Sequence, residues 1–166
     1  MPTEGQYQQL RDRGRVREHA IFAATREPTE LELQARWFAG DFGRRFRSTC
    51  GKEIEVVQFG TWNRESGPDF IGAAIRVDDG DVIRGSIEFD LTDRSWESHG
   101  HATNPAFDDA VLHVFVHASD QTFFTRTTSH RNVPQVRVDL AALPETFAAN
   151  VPLARPGRCQ APFRGL

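Results

Sequence analysis

The chain has 166 residues, 39% of them hydrophobic and 10% aromatic, which supplies apolar surface for the core of one ordinary domain. A formal charge of −3 argues against a protein that coats nucleic acid through bulk charge, although Lys52 is the only lysine and the other strongly basic side chains are arginines, whose planar fork suits phosphates. No run approaches the roughly 18 apolar residues of a membrane span, the start from Met1 to Gly14 lacks a signal-peptide apolar block, and Cys50 and Cys159 without CxxC spacing give no disulfide framework or thiolate zinc site. The expectation is a cytoplasmic protein with reduced thiols and no membrane partner.

In chain order, Tyr7 to Thr25 reads as a helix carrying Arg11, Arg13, Arg15 and Arg17, so residues 1–27 form an N-terminal helical arm. Glu27-Pro28-Thr29-Glu30 is a break followed by a fresh helix start. Leu31, Leu33, Ala35, Trp37, Phe38, Phe42 and Phe46 then make a broad apolar stripe that carries this second helix to about Arg47. Strand-like runs rich in β-branched and aromatic residues follow: Glu53 to Phe59, Asp69 to Val77, Val82 to Leu91, Val111 to His117, Thr122 to Thr127 and Val133 to Leu140. A long connection, Thr92 to Asp109, separates the third run from the fourth. Residues 28–149 form the core, and 150–166, with Pro152, Pro156, Gly157 and Pro162, read as an extended tail or linker. This order predicts an α+β fold with a central mixed sheet flanked by helices.

The second and third runs meet at Asp78-Asp79-Gly80-Asp81, a hairpin turn. A turn centred on Asp79-Gly80 sets Asp69 across from Asp90, with Glu88 on the same face and diagonal to Asp69. Ile83, Gly85, Ile87, Phe89 and Leu91 line the opposite face, so the acids are confined to one side. Carboxylates packed this closely repel unless a cation neutralises them, and hard oxygen ligands suit Mg²⁺, Mn²⁺ or Ca²⁺. Acids at strand ends are otherwise simply solvated, and spacing alone does not separate the two readings.

Gly67-Pro68-Asp69-Phe70 followed by Gly85-Ser86-Ile87-Glu88-Phe89-Asp90 resembles the PD…(D/E)xK signature of the restriction-endonuclease-like nuclease superfamily. More closely, Asn63, Gly67 to Phe70, Glu88, Trp96, His99-Gly100-His101, Asp108 and Leu112-His113-Val114 resemble the bacterial domain-of-unknown-function family 2851, which is similar to that superfamily in its PD and ExH elements. The resemblance implies a restriction-endonuclease-like core in which Asp69 and Glu88, with the Phe89 carbonyl and Glu30 or Glu32, hold Mg²⁺ or Mn²⁺. It implies a nuclease acting on nucleic acid, DNA being the expected substrate, and it admits a homodimer. Where the superfamily has lysine and the nearer family histidine, this chain has Asp90. Asp90 would then help to activate water, and His99, His101 or Arg76 would supply a replacement proton donor or cation for the missing one.

His99, His101, His113 and His117 make a second constellation, suited to zinc if they converge and to ordinary packing if they do not. Trp96 and Asn104-Pro105 read as anchors of the long connection. Arg44, Arg45 and Arg47 after the second helix, and Arg76 on the second run, are candidate phosphate contacts, or simply favourable cations near a helix end. The functional expectation is a metal-dependent nuclease using Asp69, Glu88, Asp90, His99 and His101. Its rivals are an inactive nuclease fold that binds nucleic acid or protein, and a histidine-zinc hydrolase.

Overall fold

The computed structural model describes residues 27–143. The expected helix Tyr7 to Thr25 and the tail from Asn150 lie outside the described residues.

Helix α1 spans Glu30–Ala39 and begins at a capping box: the Thr29 hydroxyl accepts the Glu32 amide, while the Glu32 carboxylate accepts the Thr29 amide at 2.7 Å. It stops well short of Arg47. Gly40 takes the left-handed conformation that ends helices, at φ 79°, and the chain turns again at Gly43. Arg45–Arg47 therefore form an edge strand, β1, and the apolar stripe that suggested a longer helix is divided between two elements.

The other strands are β2 (Glu53–Gln58), β3 (Thr61–Trp62), β4 (Phe70–Val77), β5 (Val82–Thr92), β6 (Ala110–His117) and β7 (Gln135–Arg137). They make one mixed seven-stranded sheet in the order β1-β2-β4-β5-β6-β7, with β3 also paired to β4. Pairing is antiparallel from β1 to β5 and parallel from β5 to β7, giving the expected α+β architecture. Parallel strands need a long crossover. The connection from Thr92 to Asp109 supplies it, folded into a short helix α2 (Ser95–Ser98) and two 3₁₀ turns, His101–Thr103 and Pro105–Phe107.

Two strand expectations change. Thr122 to Thr127 forms no strand, only an isolated bridge between Arg126 and Asn132, because it bonds back onto its own return limb through the Val133 amide and the Thr125 carbonyl. Val133 to Leu140 shortens to Gln135–Arg137: Pro134 has no amide to give a ladder, and Asp139 caps a 3₁₀ turn beyond.

One face of the sheet is covered by α1, where Leu33 and Trp37 pack on Ile54, Val56, Phe70, Ile75, Ile87, Phe89, Leu112, Val114 and Val136. The fully buried Trp37 indole lies 5.2 Å from the Phe46 ring and 5.4 Å, edge-on, from Phe59. The other face carries a smaller cluster of Trp96, Phe107, Ala110 and Val133. On the α1 side, Gly85 lets β5 and β6 close up, since a Cβ would lie 2.0 Å from the Asp109 carbonyl oxygen and 2.6 Å from the Val111 side chain.

The hairpin register differs from the expected one, and the difference positions the site. Arg76 pairs with Val82 and Ala73 with Gly85, one residue off the expected centre. A bulge then follows in β4, so that Phe70 pairs with Ile87; the extra residue is accommodated at Gly72, whose φ of 68° suits glycine. Because a one-residue slip exchanges sheet faces, the bulge keeps both Phe70 and Ala73 in the core. Continued by one residue, the register sets Asp69 against Glu88, not Asp90.

Candidate functional site

Asp69 and Glu88 are joined through each other's backbone. The Asp69 amide donates to Glu88 Oε2 at 3.1 Å, and the Phe89 amide donates to Asp69 Oδ2 at 3.0 Å. Upstream, the Asn63 side-chain amide donates to the Pro68 carbonyl at 3.0 Å and the Asn63 backbone amide to the Asp69 carbonyl, which fixes the Gly67-Pro68-Asp69 corner.

Glu30, on the first turn of α1, completes the acidic group: it receives a hydrogen bond from the Leu91 backbone and feels the charges of Asp90 and His99. Glu32, the other acid considered from sequence, caps the helix at Thr29. Burial and then the Glu88 charge push Asp69 up to about 8, with Glu30 and Asp90 adding to the rise. Burial and then Asp90 push Glu88 up to about 9. Burial, followed by Asp90, also raises Glu30. Without a cation, the Asp69–Glu88 pair therefore resists full ionisation at neutral pH.

Asp90 is only 1% exposed, and its two oxygens face different partners. Oδ2 lies 3.1 Å from His113 Nε2, and Oδ1 lies 3.1 Å from His99 Nδ1. The Gln135 side-chain amide nitrogen is 3.2 Å from His113 Nδ1. Since that nitrogen only donates, Nδ1 accepts and Nε2 carries the proton that His113 gives to Asp90. His113 and Gln135 face each other because β6 and β7 pair in parallel at these residues.

His101 stacks on Phe107, ring centroids 3.9 Å apart, and meets the Trp96 ring edge-on. Its Nε2 lies 3.0 Å from Glu88 Oε1, yet the alignment is not that of a hydrogen bond, and this buried nitrogen has no hydrogen-bond partner. Burial lowers the His101 pKa against an opposing pull from Asp90, which favours the neutral ring. Asp90, His99 and His101 each present one potential ligand atom within 4.8 Å of the others.

Of the residues expected from sequence, the structure brings together Glu30, Asp69, Glu88, Asp90, His99 and His101 at one end of the hairpin, with the Phe89 backbone among them. His113 joins through Asp90, whereas His117 pairs with Thr92 on the ladder and is exposed. Arg76 lies at the turn end of β4, about 20 Å from Asp69 along an extended strand, and is paired with Glu55 at 2.5 Å. Arg44 donates to the Val56 and Val57 carbonyls and lies over the Phe59 ring, and Arg45 is near Glu55. None of these three arginines belongs to the carboxylate group. Sequence reasoning missed Gln135, because a parallel register leaves no local signal of which residues face each other. Trp96 and Asn104 do anchor the connection: the indole donates to the Arg126 carbonyl at 2.9 Å, and Asn104 caps the second 3₁₀ turn.

Among the described residues, no helix is long and apolar enough to cross a membrane, and Cys50 is a free, exposed thiol. No curated protein and no solved structure matches the chain. A family model described as "Protein of unknown function (DUF2851)" matches residues 30–152, which is most of the chain and includes every residue of the site, and the chain belongs to that family.

Proposed function

We propose that this protein is a divalent-metal-dependent nuclease that hydrolyses phosphodiester bonds, with DNA as its substrate. The observation that carries the reading is the convergence of Glu30, Asp69 and Glu88, three carboxylates from the start of α1, the entry to β4 and β5, in surroundings that raise the pKa of all three. A divalent cation removes that repulsion, and a donor set made of oxygens fits Mg²⁺ or Mn²⁺. Asp69, Glu88, Glu30 and the Phe89 carbonyl are the groups that would hold it. When bound, such an ion supplies Lewis acidity toward a phosphoryl oxygen and lowers the pKa of water.

The remaining work falls to the chain's own side chains. Asp90 stands where the nuclease signature that the hairpin resembles has lysine, and with Oδ2 tied to His113 its Oδ1 is the oxygen left to take a proton from water. His99, half exposed beside Oδ1, is placed to give a proton to the departing oxygen. Buried His113 and Gln135 keep Asp90 in one orientation.

The test is fluorescence-detected cleavage of single- and double-stranded DNA in Mg²⁺, Mn²⁺ or EDTA by wild type, Asp69→Ala and Glu88→Ala. Cutting that needs metal and vanishes in both variants is the expected result. A folded wild type that binds DNA but never cuts it would instead mark a nuclease-like fold used as a binding module.

A further inference from the structure

We infer that Asp90, His99 and His101 form a second metal site, selective for a nitrogen-favouring transition ion such as Zn²⁺ or Co²⁺, beside the all-oxygen group of Glu30, Asp69 and Glu88. This goes beyond the nuclease reading, since such an ion would bind whether or not the protein cuts DNA; with the ion bound, Asp90 Oδ1 and His99 are its ligands, and the proton transfers given to them above belong to the protein without it.

The first observation is geometric. A tetrahedral ion with bonds of about 2.0–2.2 Å needs its ligand atoms about 3.3–3.6 Å apart. The Asp90 Oδ1 to His99 Nδ1 edge, at 3.1 Å, is already close to that span, and the whole set lies within 4.8 Å.

The second observation is His101 Nε2. This residue is only 8% exposed, and its nitrogen, 3.0 Å from Glu88 Oε1 but not aligned for a hydrogen bond, is aimed at the acidic group without a hydrogen-bond partner. Buried polar atoms normally have one, because leaving such an atom unpaired costs about 1–3 kcal/mol. Stacking on Phe107 and the edge contact with Trp96 hold the ring there, so the nitrogen is aimed by its apolar surroundings.

Third, the carboxylate is fixed from behind. Gln135 sets the His113 tautomer and His113 binds Asp90 Oδ2, which leaves Oδ1 facing His99. Hydrogen bonding of this kind is how proteins orient carboxylate ligands. Two imidazoles and one carboxylate favour borderline ions over Mg²⁺, and three protein ligands leave a tetrahedral ion one position for water or substrate. The half-exposed His99 marks the solvent side.

The experiment titrates the metal-stripped full chain with Co²⁺, followed by visible absorption, in excess Mg²⁺ to occupy the oxygen group, and then adds Zn²⁺ as competitor. One equivalent of Co²⁺ should produce ligand-field bands that Zn²⁺ abolishes. His99→Ala, at an exposed side chain that does not endanger folding, should weaken binding about tenfold or more. Asp69→Asn should leave the bands in place. The inference is overturned if folded wild type gives no bands, if the bands are unchanged in His99→Ala, or if they disappear in Asp69→Asn. Retained Co²⁺ binding without DNA cleavage would refute the nuclease reading alone.

Discussion

Asp69 and Glu88 each bind the strand that carries the other: the Asp69 amide reaches Glu88 Oε2, and the Asp69 carboxylate takes the amide of Phe89, the residue after Glu88. The two acids thereby complete the ladder where regular pairing stops, and the same contact holds two carboxylates together in a buried place.

The pH dependence of stability follows from this arrangement. Asp69 rises from 3.8 to about 8 and Glu88 from 4.5 to about 9, so between these limits the folded chain binds more protons than the unfolded one. Their contribution is complete below about pH 4 and is lost as pH climbs through 8 and 9. His101, lowered by burial, acts in the opposite sense around its unfolded value and partly masks the trend near neutrality. In EDTA, the melting temperature of wild type should fall from pH 6 to 9 more steeply than that of Asp69→Asn/Glu88→Gln. Equal slopes would show that the two carboxylates do not titrate as the structure requires.

Mg²⁺ should release protons when it binds. At pH 7 the apo pair is not fully ionised and a cation displaces what proton it keeps, so calorimetry of Mg²⁺ binding in two buffers of different ionisation enthalpy should give buffer-dependent heats. Asp69→Asn should shrink the difference; identical heats for wild type would count against the assignment.

Gly72→Ala tests the bulge. A Cβ there meets nothing within 4 Å, so the cost is the left-handed backbone alone, about 1–2 kcal/mol in chemical denaturation. If the chain escapes that strain by losing the bulge, Asp69 slips to the opposite face and nuclease activity falls by more than the stability loss explains. Full activity in a variant that has visibly lost the bulge would refute the role given to the register.

His113→Ala should be strongly destabilising for its size, by about 2–3 kcal/mol, because it leaves Asp90 and Gln135 buried without their shared partner. The double variant with Asp90→Ala should recover part of the loss, since it removes the stranded carboxylate. A purely additive double variant would mean that the two residues are not coupled.

Trp37→Ala probes the opposite face. Truncating this fully buried indole between Phe46, Phe59 and Phe89 should cost about 3–5 kcal/mol and lower the denaturation midpoint. A loss below about 1 kcal/mol would mean that α1 is not seated on the sheet as described.

Much of this protein was determined by local sequence. The capping box at Thr29 started α1, alternation of apolar side chains marked the hairpin strands, and Glu88 and Asp90 were bound to share a face because they are two residues apart on one strand. What tertiary structure decided were the relations between distant segments. The end of α1 depended on a left-handed glycine and on an edge strand finding β2; the partner of Asp69 depended on a bulge at Gly72 that alternation cannot reveal; and Thr122 to Thr127 had a strand's composition but bonds back onto its own return limb. The histidines show the same division. Their positions are plain in the chain, but whether each ring meets a carboxylate, a stacked phenyl or solvent was settled by the crossover folding over β5 and by the parallel register of β6 and β7, which are long-range contacts that no local pattern encodes.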